Sequence, residues 1–345
     1  MSVSLLHNSK FKGSWADLRV CRLSSRRHTS TAATFHYLKS LPLYHTTKPF
    51  HINIPSWALP SGQQTNEVSQ AYHSIPVVGL RGKTHNFTLD TNGFQVELEG
   101  ETGRNSLVDC ITFDEYADER KVKEIVRPAV ENFLKRKIPE AEDVVAFSTQ
   151  VRRRDPLFPA LPRGTDGSKP QPVQGVHVDF APDGARAELE DFLVSRGYTD
   201  ITSRRWQIVR HANVWHPLFG PLQDWPLGLV DYKSIDKDSD LVASDNIYTH
   251  VIRETYNVLY NPKHKWYYLE NQQPNEVLMF KTFDTHATKG FARVCPHASF
   301  QDPLAPPTVR PRESFECLSA VLYPEGSADM NTYEELLPSE SFDSK

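Results

Sequence analysis

His177-Val178-Asp179 sets an imidazole and a carboxylate two residues apart. In a β-strand, residues i and i+2 point to the same face, so both groups can reach one metal ion. A second histidine would complete a two-His-one-carboxylate facial triad. Its open coordination positions are diagnostic of non-haem Fe(II) oxygenases. Far downstream, Pro296-His297 is followed by Arg312-Glu313-Ser314. That order offers a third ligand, then a guanidinium and a hydroxyl on one strand face. Arginine grips a carboxylate with two parallel charge-assisted hydrogen bonds, which is what the far end of 2-oxoglutarate needs.

H-x-D alone is a weak signal, and most such histidines are ordinary surface or core residues. Here the pair sits in the apolar stretch Val176–Phe180, just after a Pro-rich segment. The later histidines His211, His216, His250, His264, His286 and His297 are the candidates for the third position. His297 is favoured because it closes the strand-like run Phe291–Cys295, with Arg293 and Cys295 on its face. His286, in what reads as a turn, comes second. For Arg312 the bland alternative is an ion pair with Glu313 or Glu316.

The elements around these residues read as mainly β with flanking helices. Short strand patterns run over Trp206–Trp215, Leu227–Tyr232, Lys265–Leu269, Glu276–Phe283, Phe291–Cys295 and Ser314–Tyr323, separated by turn residues. Such a series suggests a sandwich or barrel, and a jelly roll, or double-stranded β-helix, places ligands inside its mouth. Phe87–Asp90 and Phe94–Leu98 flank Asn92-Gly93 and read as a hairpin. Asp114–Lys137 has helical periodicity, with Asp114 as cap, Pro139 as stop and a kink at Pro128. Arg152–Gln174 reads as a loop. Asp183 and Gly197 read as the ends of a second helix.

The 345 residues allow one large domain, read as 34–330 between a basic extension (1–33) and an acidic tail (331–345). From Met1 to Lys48 the single acid is Asp17, so the extension could also serve as a mitochondrial transit peptide; a cytoplasmic location is the first expectation. A net charge of −4 gives no field for nucleic acid. No apolar run approaches the roughly 18 residues of a membrane span. The four cysteines are scattered and suit a reducing compartment. There is no Walker loop, no G-x-G-x-x-G and no G-x-S-x-G. Trp206, Trp215, Trp225, Trp266, Tyr267 and Tyr268 could line a pocket for an apolar substrate, although core packing is the simpler reading of each. Lys281 could face the cavity or the solvent.

Phe35-His36-Tyr37-Leu38, Phe87-Thr88-Leu89-Asp90, Val176-His177-Val178-Asp179, Asn213-Val214-Trp215, Asn261-Pro262, His264-Lys265-Trp266-Tyr267-Tyr268, Pro296-His297 and Pro311-Arg312-Glu313-Ser314 occur in this order. Together they resemble a fungal hydroxylase/desaturase family of secondary-metabolite gene clusters, over residues 34–330. The resemblance implies a jelly-roll oxygenase using Fe(II), 2-oxoglutarate and O₂ to hydroxylate or desaturate a small molecule. It places the metal on His177, Asp179 and His297 and the cosubstrate on Arg312 and Ser314. Two positions depart from the family pattern. His216 stands where the family usually has Arg, and Thr285-His286 stands where it has Ser after the Phe-Asp dipeptide. If the family's Arg holds substrate or cosubstrate, specificity is altered here. Two other classes keep part of this pattern: a cupin-like metalloenzyme without 2-oxoglutarate, and a non-catalytic jelly-roll binding protein.

Overall fold

The computed structural model describes residues 30–160, 169–198 and 203–328. Most of the basic extension and the whole acidic tail lie outside the described residues. The first strand, β1 (Ser30–Leu38), starts within the stretch read as extension.

Fourteen strands follow one another among the described residues: β1, β2 (Phe50–Ile52), β3 (Ser69–Gly79), β4 (Phe94–Leu98), β5 (Asp143–Arg153), β6 (His177–Val178), β7 (Arg204–Pro217), β8 (Leu227–Val230), β9 (Leu241–Ile247), β10 (Ile252–Val258), β11 (Trp266–Tyr268), β12 (Glu276–Asp284), β13 (His297–Ser299) and β14 (Glu313–Glu325). Nine form one sheet in the order β1-β3-β11-β8-β13-β6-β10-β9-β2, and five form the other in the order β4-β12-β7-β14-β5. The sheets pack face to face as a double-stranded β-helix. Leu227 and Leu229 from the larger sheet meet Phe94, Trp215, Leu278 and Phe280 from the smaller one in a shared apolar core. The side-chain period of two makes this possible, because alternate residues of each strand point inward.

The opposite face of the smaller sheet is covered by a helix. Val130, Phe133 and Leu134 of that helix pack with Met279, Phe315 and Val321 from the sheet. The helix does not begin at Asp114. Asp114–Ala117 is a single 3₁₀ turn, and the cap is Asp118, whose carboxylate accepts from the Arg120 and Lys121 N–H groups. A short helix α2 (Glu119–Lys121) passes through a π-helical turn (Val122–Val126) into α3 (Arg127–Lys137). Pro128 stands in the first turn of α3, where a missing N–H is tolerated, and the π turn ahead of it takes up the irregularity.

Four other expectations are corrected. Asn92-Gly93 is not a hairpin turn. Leu89–Asn92 forms a one-turn helix, α1, capped by Thr88 Oγ1, and Gly93 ends it at φ +83°. A left-handed Gly serves a helix end as well as a hairpin, so the dipeptide alone cannot choose between them. β4 instead pairs with β12. α4 (Pro182–Ser195) is entered through Ala181, with Asp183 in its first turn rather than at the cap. Arg152 and Arg153, read as loop, belong to β5. Phe291–Cys295 is not a strand among the described residues, and His297 begins β13 rather than closing a strand. The one-turn helix α5 (Lys237–Asp240) connects β8 to β9.

Candidate metal centre

β13 lies between β8 and β6, and His297 is the cross-strand partner of His177. Val178, fully buried, points away from the cavity, so His177 and Asp179 share the opposite side. The three side chains converge: their ligand atoms all lie within 4.8 Å of one another. His177 Nε2 is 3.5 Å from Asp179 Oδ1, and His297 Nε2 is 3.9 Å from Asp179 Oδ2. The imidazole rings are 4.4 Å apart, centre to centre.

Each imidazole is oriented by the backbone. His177 Nδ1 lies 2.8 Å from the Gly175 carbonyl oxygen, and His297 Nδ1 lies 3.0 Å from that of Cys295. A carbonyl only accepts, so each Nδ1 carries the proton and each Nε2 presents a lone pair to the centre. This arrangement is the outer-shell device that fixes a metal-binding tautomer. Phe280, from the facing sheet, covers His297 at 4.5 Å between ring centres.

A narrow slot leads from the histidines to Arg312, lined by His177, His297, Trp215, Leu227, Ser299 and Arg312. Arg312 is buried. Its Nη1 donates to Ser299 Oγ (2.7 Å) and to the Trp225 carbonyl (2.8 Å), and its Nε donates to Ser314 Oγ (3.1 Å). The guanidinium also lies 4.7 Å from the Trp215 ring centre. Glu313 and Glu316 instead bind Arg153 and Arg152. Arg312 is thus a buried side chain at the end of the slot and not a surface one. Sequence reasoning missed Ser299, which is two residues past His297 on the same strand face.

On the other side of His177 and Asp179 opens a wider cavity of about 500 Å³. The Arg152–Glu316 pair borders both spaces, with Arg152 Nε and Nη2 clamping the carboxylate at 2.7 to 3.0 Å. Gln150, Asn246, Thr255 and Asn257 also line the cavity. Trp206, Trp215 and Trp266 are buried in apolar clusters, and Trp225, Tyr267 and Tyr268 do not line the cavity. Core packing, the simpler reading, therefore describes most of these aromatics, and the cavity wall is largely polar. β9 and β10, which supply it, carry polar residues on both faces and so lack an alternating signature.

Three further residues are placed away from the centre. His216 follows Trp215 and faces the other side of β7. It is buried against Tyr116 and Phe315, at 6.2 and 6.0 Å between ring centres, with Nδ1 on the Pro217 carbonyl. Burial pushes its imidazole down to about 4. The departure from the family's Arg therefore falls outside the cavity and the slot. His286 packs on Phe291 and is not one of the converging ligands. Lys281 faces neither cavity nor solvent. Fully buried, it binds Asp90, Asp284 and the Ala292 carbonyl.

Residues 35–322 match the family described as Oxidoreductase/YMDC permease-like domain. Hydroxylase/desaturase efuI of Hormonema carpetanum is 31% identical over 251 residues, which cover 67% of this chain and 78% of that protein. The chain belongs to this hydroxylase/desaturase family. Other members include the Fe(II)/2-oxoglutarate-dependent dioxygenase nvfI of Aspergillus novofumigatus, 27% identical over 74% of this chain and 85% of that one. The solved structure of the iron and alpha-ketoglutarate-dependent endoperoxidase NvfI superposes with a TM-score of 0.69 at 23% identity, over 86% of this chain and 99% of its own, and shows the same fold. Among the described residues of this family member, no helix is long and apolar enough to cross a membrane.

The donor set fits Fe(II). Two neutral imidazole nitrogens and one carboxylate make the two-His-one-carboxylate face that leaves positions open for small ligands. Family membership makes the chain an Fe(II)/2-oxoglutarate-type oxygenase and sets aside the non-catalytic alternative.

Proposed function

We propose that this oxygenase hydroxylates or desaturates a small-molecule secondary metabolite at an iron held by His177, Asp179 and His297. Arg312 and Ser314 receive the distal carboxylate of 2-oxoglutarate. The observation that carries the reading is spatial: a triad of donors stands between a slot ending at a buried arginine and an open cavity. Iron, with 2-oxoglutarate and O₂, would supply the oxidising power for an unactivated C–H bond.

The chain's own residues then have separable tasks. Gly175 and Cys295 hold the imidazoles in the binding tautomer. Ser299, Ser314 and the Trp225 carbonyl fix the plane of the Arg312 guanidinium. Phe280 and Leu227 help to keep water from the slot. Asn257 and Thr255 offer hydrogen bonds that orient the substrate, and small differences in that orientation separate hydroxylation from desaturation. Residues 34–330 act as one domain in this reading. A cytoplasmic location suits the free thiols of Cys110, Cys295 and Cys317.

The test is anaerobic titration with Fe(II) and then 2-oxoglutarate, following the weak visible metal-to-ligand charge-transfer band. The reading requires a band that is lost in His297→Ala and needs more 2-oxoglutarate in Arg312→Ala. Iron binding without a band would instead favour a cupin-like enzyme that does not use 2-oxoglutarate.

A further inference from the structure

Glu67 is a cavity-lining carboxylate that the oxygenase chemistry does not use. Its Oε1 accepts from Ser244 Oγ and from Asn257 Nδ2 (2.6 Å). Asn257 is the cross-strand partner of His177. Directly opposed side chains have Cβ atoms about 5 Å apart, so Glu67 sits one hydrogen-bonded side chain away from the metal-binding face. Its backbone is held as well, since Glu67 N–H donates to Thr65 Oγ1.

Apart from Asp179, which belongs to the metal-binding face, the other charges of the wall are compensated. Arg152 is clamped on Glu316, and Arg253 is held bidentately by Glu188 on α4. Lys48, near the same strands, is shared by Asp245 and Glu254. Glu67 has no cation within ion-pair distance among the described residues. Its Oε2 takes no hydrogen bond there, while Oε1 is held by two neutral donors. A half-buried carboxylate held this way is oriented but not neutralised, and a charged donor is its complement.

We infer that Glu67 is the anchor for a protonated amine, and that the substrate is a small amine-bearing molecule. This rests on the oxygenase reading of the cavity and adds the substrate class to it. Asn246, Thr255 and Gln150 line the rest of the cavity and can serve neutral polar groups of the same molecule. With the ammonium on Glu67, the rest of the molecule would occupy the cavity that His177 and Asp179 also line.

The experiment is calorimetric binding to the full chain without added iron or cosubstrate. The probes are phenethylamine and tryptamine, each against its uncharged N-acetyl counterpart. At least one amine is expected to bind about tenfold tighter than its N-acetyl form, the size of a hydrogen bond to a charged group. Glu67→Gln keeps an acceptor for Ser244 and Asn257 but removes the charge, and it should erase the preference. Equal binding of the members of both pairs, no binding by either amine, or a preference that survives in Glu67→Gln would each overturn the inference. If Glu67→Gln fails to fold, the amine against N-acetyl comparison repeated in Asp179→Asn, which leaves Glu67 as the carboxylate of the wall without a cation, still decides. Because binding is read without iron, its failure is distinguishable from absence of the charge-transfer band.

Discussion

His177 and His297 stand opposite each other on β6 and β13, and each donates Nδ1–H to the carbonyl two residues before itself. The repeated device means that the backbone, not another side chain, sets both tautomers. The proposed metal site is therefore held by β6, β13 and the residues next to them, and its affinity should depend chiefly on the three proposed ligands. Asp179→Asn keeps the shape but removes the negative charge. It should lower Fe(II) affinity by about 100-fold or more, at or beyond the upper end for outer-shell changes. Metal content after dialysis, compared with wild type, checks this.

His216 gives a prediction about stability rather than catalysis. Its folded-state value is lowered from 6.5 to about 4, because burial disfavours the imidazolium. The unfolded chain therefore takes up a proton that the folded chain refuses. The stability from the neutral ring is complete above 6.5 and is lost as pH falls from there toward 4, at about 1.4 kcal/mol per pH unit. His216→Leu should flatten this part of the pH–stability curve, measured by urea unfolding between pH 7 and pH 4. An unchanged slope would count against the assignment.

These residues also show what the sequence made legible. The three proposed ligands, Arg312 and Ser314 lie on strands or directly beside their ends, with i, i+2 spacing visible in the chain, and their types announce their chemistry. Ser299, Glu67, Asn257 and the Arg152–Glu316 pair carry no such announcement. Their roles come from β-strand register between segments distant in sequence, which one sequence does not display. His216 illustrates the converse. It lies close to the motifs in sequence, yet alternation along β7 turns Trp215 toward the slot and His216 away from it.

Lys281 and Asp284 form a fully buried ion pair, joined by Arg205, behind the segment that leads to His297. Lys281 also donates to the Ala292 carbonyl, and its own carbonyl accepts from Cys295 N–H. Removing one partner of such a pair strands a buried charge, at a cost of about 3–5 kcal/mol. Lys281→Met should lose stability on this scale in urea melts. Burial alone would raise the Asp284 carboxyl, but Lys281 and Arg205 outweigh it and hold it below its ordinary 3.8. Its contribution is therefore present above that value and lost as pH falls further, so Asp284→Asn should blunt acid unfolding below about pH 4.

Gly93 carries both a conformational and a steric requirement. At φ +83° an L side chain is strained, and a Cβ there would lie 2.7 Å from the Val294 carbonyl oxygen. Gly93→Ala must push α1 away from the segment leading to His297. We expect a loss of about 1–3 kcal/mol in thermal unfolding, the range for overpacking, together with weaker iron retention. Full iron retention at reduced stability would separate the helix end from the placement of His297.

Ser299 offers the sharpest division of labour at the proposed cosubstrate end. It accepts from Arg312 Nη1 at 2.7 Å, while Ser314 accepts from Nε at 3.1 Å, so the two hydroxyls hold different edges of one guanidinium. Ser299→Ala removes one restraint without removing the charge. It should weaken 2-oxoglutarate binding by about tenfold, as expected for one hydrogen bond to a charged group, and leave iron affinity within a factor of two or so. Arg312→Lys should weaken it further, because an ammonium cannot reproduce the planar fork that meets Trp225, Ser299 and Ser314 together. The charge-transfer band, titrated with 2-oxoglutarate at fixed iron, reports both effects. A Ser299→Ala titration identical to wild type would mean that Ser314 and the Trp225 carbonyl suffice to hold the plane.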